Sequence, residues 1–403
     1  MLVLVQLQRL SKRIKIFLMS KKRLNHTVSL FFCVISSNNS VNKSFILMNQ
    51  NNLSPKKYII IGQGLAGSIL AYILMQEGQN VQIFDSEEIP CSSKIAAGIY
   101  NPVTGRKLVK TWLADNIFPF LEDFYPQLEK TLKAKFFHPI PIYRPFVNED
   151  SQKYFKSDHV PDDFSDFATL EFENLNHQNI VNSQLGGVTT KHSGWVDLKV
   201  MLEAFRRFFL EKEVLKMVDR DTEHGIVEHD KLIYCEGFNA IHNPYFNYLP
   251  FSPVKGELLD IEIQNIDIHE IINQGAFVIP LGGDAYRLGA TYSWHELDFI
   301  PTEQGKTDLA EKYQKLLKPE MRILSHRAGV RPATKDRRPF VGMHPEFKNI
   351  GIFNGFGSKG VSLAPYFAKQ FVDFLVYNKE LHQEVNINRF ASLYLGWKPN
   401  IPQ

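Results

Sequence analysis

"KKYIIIGQGLAGSILAYILMQEGQNVQIFD", residues 56–85, carries three structural signals in one run. The apolar "YIIIG" predicts a short buried strand ending at Gly62. Leu65, Ile69 and Ile73 then recur at helical spacing, Gly78 stops the helix, and "NVQIFD" predicts a second strand. Together these make the first βαβ half of a doubly wound sheet. Within it Gly62 makes the tight turn, Gly64 lets the backbone approach a pyrophosphate, and Gly67 lets helix and strand pack closely. The amides of Leu65 and Ala66 sit at the helix N-terminus, where unpaired N–H groups and the dipole favour an anion. Asp85 ends the second strand, where an acidic side chain accepts hydrogen bonds from an adenosine ribose. Nicotinamide and flavin dinucleotides share that ADP half, so this stretch alone does not choose between them.

The bulk numbers narrow the class. A chain of 403 residues that is 44% hydrophobic and 12% aromatic holds one large domain or two interleaved ones around a packed core. The formal charge of +3 is unevenly spread: the first 47 residues carry eight basic side chains and no acidic one, and the remainder is net acidic. A global basic surface for nucleic acid is therefore not expected. Residues 1–54 read as a basic leader outside the fold. Its composition suits a targeting peptide, but the short polar lead "MNQNNLSPKK" after Met48 favours Met48 as the real start. No apolar stretch there nears the roughly 20 residues that span a bilayer. Cys33, Cys91 and Cys235 lack metal-ligand spacing, so no metal site and a reducing, cytoplasmic compartment are expected.

After the second strand, regular βαβ units do not continue. Instead "CSSKIAAGIYNPVTGRK" (91–107) is rich in small residues and turns. Further on come "SGWVDLKVMLEAF" (193–205), "KLIYCEGFNA" (231–240), "PVKGELLDI" (253–261), "AGVRPATKDRRPFVG" (328–342) and "NIGIFNGFGSKGVSLAP" (349–365). In this order the segments resemble the D-amino-acid oxidase and glycine oxidase family of FAD enzymes, over roughly residues 56–380. The resemblance implies an α/β fold: a discontinuous Rossmann-like FAD domain (55–135, 190–250 and 326–380) and a mainly antiparallel substrate sheet (136–189 and 251–325), with 381–403 as a tail. It further implies that Ser92, Ser93, Ala96, Ala97 and Gly98 lie along the isoalloxazine.

The closing segment also has its own physical logic. "GFGSKG" (355–360) precedes an apolar-periodic helix with Pro365 expected in its first turn, so Gly357, Ser358 and Gly360 aim a helix N-terminus at a ligand. Reduced flavin carries negative charge that a helix dipole and an ammonium stabilise, and Lys359 is the candidate ammonium; a solvated turn lysine is the alternative. Arg331 matches the family's arginine that binds a substrate carboxylate, a task suited to a planar guanidinium. Its structural alternative is an ion pair, for instance with Asp336. Arg337 and Arg338 read as solvated.

Two departures from the family pattern bear on the site. Phe277 stands where glycine oxidase-like members carry a tyrosine; Tyr292 is the replacement candidate, with core packing as its alternative. Ile95 stands where sarcosine dehydrogenase-type relatives have a flavin-linking histidine, so FAD is expected to be non-covalent. The expected activity is oxidation of a C–N bond in an amine or amino acid, with oxygen or another acceptor taking the electrons. Two alternatives stay open. "AAGIYNPVTG" and "GSKG...AP" also resemble the oxidase domain of an enzyme modifying the wobble uridine of tRNA, and a flavin-binding subunit without turnover is the non-catalytic reading.

Overall fold

The computed structural model describes residues 14–24, 27–36, 57–87, 89–105, 107–156, 164–174, 176–218 and 231–397. Two compact units divide the chain at Lys56/Lys57. In the first, Ile14–Leu24 and Thr27–Ser36 pair as an antiparallel hairpin; Met48 lies outside the described residues.

The second unit is built on two sheets. The first has six strands in the order Leu215–Met217, Asn80–Asp85, Lys57–Ile61, Lys231–Tyr234, Ile350–Asn354 and Phe340–Met343. The first five are parallel and the last is antiparallel to its neighbour. From Lys57–Ile61 the chain adds strands outward through 80–85 to 215–217, then returns to add 231–234 on the other side. The order thus reverses between Lys57–Ile61 and Lys231–Tyr234, and their carboxyl ends frame the crevice where such sheets bind ligands.

The helix Leu65–Gln76 starts where the periodicity places it and ends at Gly78, whose φ of +71° the left-handed cap requires. Its burial is nearly all-round rather than one-sided, because Leu198–Glu211 and Gly360–Tyr377 cover the side turned away from the sheet. Leu198–Glu211 is capped by Asp197, whose carboxylate accepts from the Val200 amide at 3.1 Å.

The closing helix, Gly360–Tyr377, corrects one expectation: Pro365 lies beyond the first turn, where its missing N–H matters. The carbonyl it leaves unpaired, that of Val361, instead accepts from the buried Tyr125 hydroxyl at 2.6 Å. Tyr125 belongs to the helix Ala114–Leu132, so a side chain from elsewhere repairs the ladder.

The second sheet has eight strands in the order Ala168–Glu171, Gly187–Thr190, Ile142–Pro145, Ile271–Gln274, Ala276–Gly282, Ala285–Gly289, Val254–Glu262 and Arg322–Arg331. All pairs are antiparallel except 142–145 with 271–274. Its alternation is clean. Leu259, Ile261, Val278, Tyr286 and Leu288 pack under the helix Glu303–Leu316, while Gly256, Phe277, Gly329 and Arg331 belong to the opposite face. The expected return to the nucleotide-binding sheet at 326 falls inside the last strand. Pairing runs on to Val254 with Arg331, so the antiparallel sheet keeps the chain through Arg331. Past 380 the chain is packed rather than trailing, with Val385 and Ile387 fully buried.

Candidate active site

Gly62 holds φ +101°, and a Cβ there would lie 2.7 Å from the Cys235 carbonyl oxygen. Gly67 is tighter still, since a Cβ would fall 1.9 Å from the Gly62 carbonyl oxygen. Any side chain at either position would displace the turn. Beside Gly64 the space is bounded by Ser93 Oγ and Cys91 Sγ, 3.5 and 3.6 Å from its Cβ direction. The Gly64 carbonyl takes the first intrahelical bond, from Ser68, so the amides of Leu65, Ala66 and Gly67 point out of the helix end. The Leu65 amide donates to Ser93 Oγ at 3.2 Å. At the end of the second strand Asp85 accepts from the Gln63 amide at 2.9 Å. Burial raises its pKa, and the Gln63 bond, with Lys94 and Arg206 nearby, only partly counters that.

From this turn the contacts run in a closed ring. Ser93 and Ser92 belong to one short helical turn, and Ser92 Oγ donates to the Val330 carbonyl at 2.5 Å. Ile95 lies 3.5 Å from where a Gly329 Cβ would be, laying the 92–98 segment over the end of the Arg331 strand. The Pro332 carbonyl then accepts from the Gly357 amide at 3.1 Å. Gly360 completes the ring, since a Cβ on it would lie 2.7 Å from Leu65 Cδ2. Two helix N-termini, those of Leu65–Gln76 and Gly360–Tyr377, therefore meet across one contact. Gly98 packs on the Val196 carbonyl, and Ala97 joins Phe277 in the apolar cluster on the open face of the sheet. Ser358 and Lys359 are exposed on the closing turn. Desolvation and the nearby Arg338 and Arg337 lower the Lys359 pKa, an effect that solvent screens on an exposed side chain.

Arg331 lies at the edge of this ring. Its guanidinium covers Gly256, where a Cβ would fall 2.1 Å from Nη2. It donates to the carbonyls of Lys255 at 3.3 Å and Thr291 at 3.4 Å, both longer than a well-made bond. Among the described residues no carboxylate pairs with it. Asp336, the alternative partner, binds Arg389 at 2.8 Å instead. Burial lowers the Arg331 pKa and Tyr292 offsets part of that. Tyr292 is not core packing: it is 60% exposed, and the guanidinium stacks over its ring at 4.5 Å. It lies in the loop beyond Ala285–Gly289, held in place where Ser293 and Lys255 exchange backbone hydrogen bonds of 3.0 and 2.8 Å. Arg338 departs from the solvated reading. It binds Glu384 at 2.7 Å and lies 4.0 Å over the Trp112 ring, because the returning C-terminal segment covers it.

These residues fit a dinucleotide with a flavin ring. The glycine turn carries no side chain where phosphates would sit, the N-termini of two helices meet beside it, and the 92–98 segment lies against Gly329 through Ile95. Gly62, Gly64, Leu65, Ala66, Gly67 and Asp85 would hold the ADP half. Ser92, Ser93, Ala97, Gly98, Gly357, Ser358 and Gly360 would line the flavin half.

Residues 57–374 match the model of the FAD dependent oxidoreductase (DAO) family, and the chain belongs to that family. It is similar in sequence to glycine oxidases, and its α/β fold is shared by glycine oxidases and an L-proline dehydrogenase of known structure. A glycine oxidase of Bacillus subtilis (strain 168) is 30% identical over 137 residues, 33% of this chain and 37% of that protein. The tRNA 5-methylaminomethyl-2-thiouridine biosynthesis bifunctional protein of Hahella chejuensis is 23% identical over 380 residues, 82% of this chain and 59% of that one. The solved glycine oxidase of Bacillus cereus ATCC 14579 shares the fold at 22% identity and a TM-score of 0.65, over 81% of this chain and 96% of its own. The chain spans less than half the length of the glycine oxidases it matches in sequence. No helix among the described residues is long and apolar enough to cross a membrane.

Proposed function

We propose that this protein oxidises a C–N bond in a small amine or amino acid to an imine, which water then hydrolyses. When bound, FAD would supply the two-electron acceptor for the hydride leaving the carbon next to nitrogen. The observation that carries the reading is Arg331: a desolvated guanidinium with no carboxylate partner among the described residues, lying over Gly256 next to Gly329 and the 92–98 segment. A substrate carboxylate would supply the missing counter-charge, and a bidentate pair would fix which face of the Cα–H is presented. Tyr292 would flatten the guanidinium and close one side of the site. Lys359 and the amides at the start of the closing helix would stabilise negative charge developing nearby. FAD is held without a covalent bond in this reading, and Phe277, which lacks a hydroxyl, removes a hydrogen bond that a glycine site would use. Oxygen or another acceptor reoxidises the enzyme, and a cytoplasmic setting suits Cys91 and Cys235, both free thiols.

An anaerobic panel of amines and amino acids tests this. Bleaching of the flavin by a carboxylated amine, and not by its decarboxylated analogue, is the expected result; a flavin that stays oxidised throughout would support a non-catalytic subunit. One observation favours a second reading on tRNA: the matches to the tRNA-modifying bifunctional proteins span 82% and 72% of this chain, far more than the glycine oxidase matches do. The acidic balance beyond the leader opposes it. A mobility shift with tRNA at moderate salt decides between them.

A further inference from the structure

Glu236, a half-buried acid at the crevice, has no part in the proposed oxidation. The crevice at the strand-order reversal has two lips. One is the glycine turn after Lys57–Ile61, and the other is Cys235–Gly237 after Lys231–Tyr234. A Cβ on Gly62 would lie 3.7 Å from the Glu236 Cα, so Glu236 stands beside the turn that receives the phosphates. The residue as a whole is half-buried, while its carboxyl is surrounded by protein atoms. Among the described residues no cation pairs with it. Its one side-chain hydrogen bond comes from Asn243 Nδ2, 2.7 Å from Oε2. The Tyr245 amide donates to Asn243 Oδ1 at 2.9 Å, which fixes the amide so that its NH2 faces Glu236. Oε2 is thus an acceptor, and Oε1 is the oxygen that would carry a proton.

We propose that Glu236 is a residue of the FAD site that works as a neutral carboxylic acid, its Oε1–H donating to an oxygen of the bound dinucleotide, with the proton taken from solvent on binding. An ionised carboxylate beside a pyrophosphate would add like-charge repulsion in a poorly hydrated crevice. Protonation replaces that repulsion with a hydrogen bond. Burial brings the Glu236 pKa up to about 7 even though the Asn243 bond acts the other way. Added negative charge from the ligand raises it further. The unliganded protein above neutral pH therefore holds a carboxylate there, and binding consumes one proton.

The groups around it define the controls. Tyr234, the last residue of the preceding strand, and Cys235 next to it are held neutral by burial. His242 ends the short helix that follows, and Asn354 on the next strand is uncharged, donating to the Gly237 carbonyl at 3.0 Å. Lys359 lies on the closing turn. Across the glycine turn Asp85 is the rival source of any pH effect.

The test is FAD binding to the flavin-stripped full chain, read by quenching of flavin fluorescence between pH 6 and 9. Wild-type affinity should fall about tenfold per pH unit above neutrality, approaching a hundredfold by pH 9, because only the protonated fraction binds. Glu236→Gln keeps a donor without the charge and should bind with no pH slope, while Asp85→Asn should keep it. Titration calorimetry of the wild type at pH 8, in buffers of different ionisation enthalpy, should count close to one proton taken up. That count decides the matter if the Gln variant does not fold. A flat wild-type profile, a slope that survives in Glu236→Gln, or no proton uptake would each overturn the assignment.

Discussion

Replacing Arg331 with leucine separates a substrate clamp from a structural cation. Among the described residues the guanidinium makes only long hydrogen bonds, 3.3 Å to Lys255 and 3.4 Å to Thr291, and has no acid to leave behind. A leucine over Gly256 therefore gives up little of the fold and removes a desolvated charge. Stability should stay within about 1 kcal/mol of wild type or rise. A substrate carboxylate, by contrast, would lose a charge-assisted fork in a place that water reaches poorly. The loss should be about 3 kcal/mol, roughly a hundredfold in kcat/KM. The assay is stopped-flow reduction of the flavin under nitrogen, using a carboxylated amine and its decarboxylated analogue, with flavin content and melting temperature measured on the same preparation. The carboxylated substrate should slow a hundredfold while its analogue is unaffected. Equal losses for both, or loss of flavin and fold, would refute the reasoning.

Three further outcomes are expected. Gly62→Ala should abolish flavin retention on purification and lower stability by about 1–3 kcal/mol, since φ is +101° and the new Cβ meets the Cys235 carbonyl; a yellow, stable variant would contradict this. Tyr292→Ala should raise KM for a carboxylated substrate about three- to fivefold, the value of an exposed cation–π contact, and Tyr292→Phe should leave it unchanged unless the hydroxyl itself acts. Glu129→Gln tests a pH-linked device near the core. Burial would raise this carboxyl's pKa, but Lys135 and the amides of Phe137 and Phe136, at 2.7 Å each, hold it below its usual range. A depressed folded value gives stability that is present above the unfolded pKa of about 4.3 and is lost as pH falls through the folded one. The variant should be about 1–3 kcal/mol weaker in urea at pH 7 and converge on wild type near pH 3; a deficit equal at both would show that charge is not the cause.

The glycine turn was legible in the sequence because all of its determinants are local: a strand, a spacing, a stop at Gly78 and an acid at Asp85 lie within thirty or so positions. Arg331 was singled out only through resemblance, and the 355–360 turn also through the apolar-periodic helix it opens, but nothing in their spacing says that Pro332 and Gly357 bond to each other. The misread features all turn on partners distant in sequence. Pro365 falls outside the first turn, tolerated because Tyr125 supplies the donor, and Arg338 is covered by Trp112 and Glu384. Glu236 was passed over within "KLIYCEGFNA", although an acid directly after a buried strand at the reversal point is a signal that the topology makes readable.

The sheet order has a consequence for biosynthesis. Lys57–Ile61 pairs with Lys231–Tyr234, which pairs with Ile350–Asn354, and the turn that closes the ring on Leu65 comes later still, at 355–360. At ribosomal speeds of about 5–20 residues per second, the first half of the cofactor bed waits on the order of 15–60 s for the second. During that interval the exposed edge of the parallel sheet is a natural client surface for chaperones. Early supply of flavin would not help if both helix ends hold it, as proposed, because a nascent chain cut short before residue 355 presents only one of them.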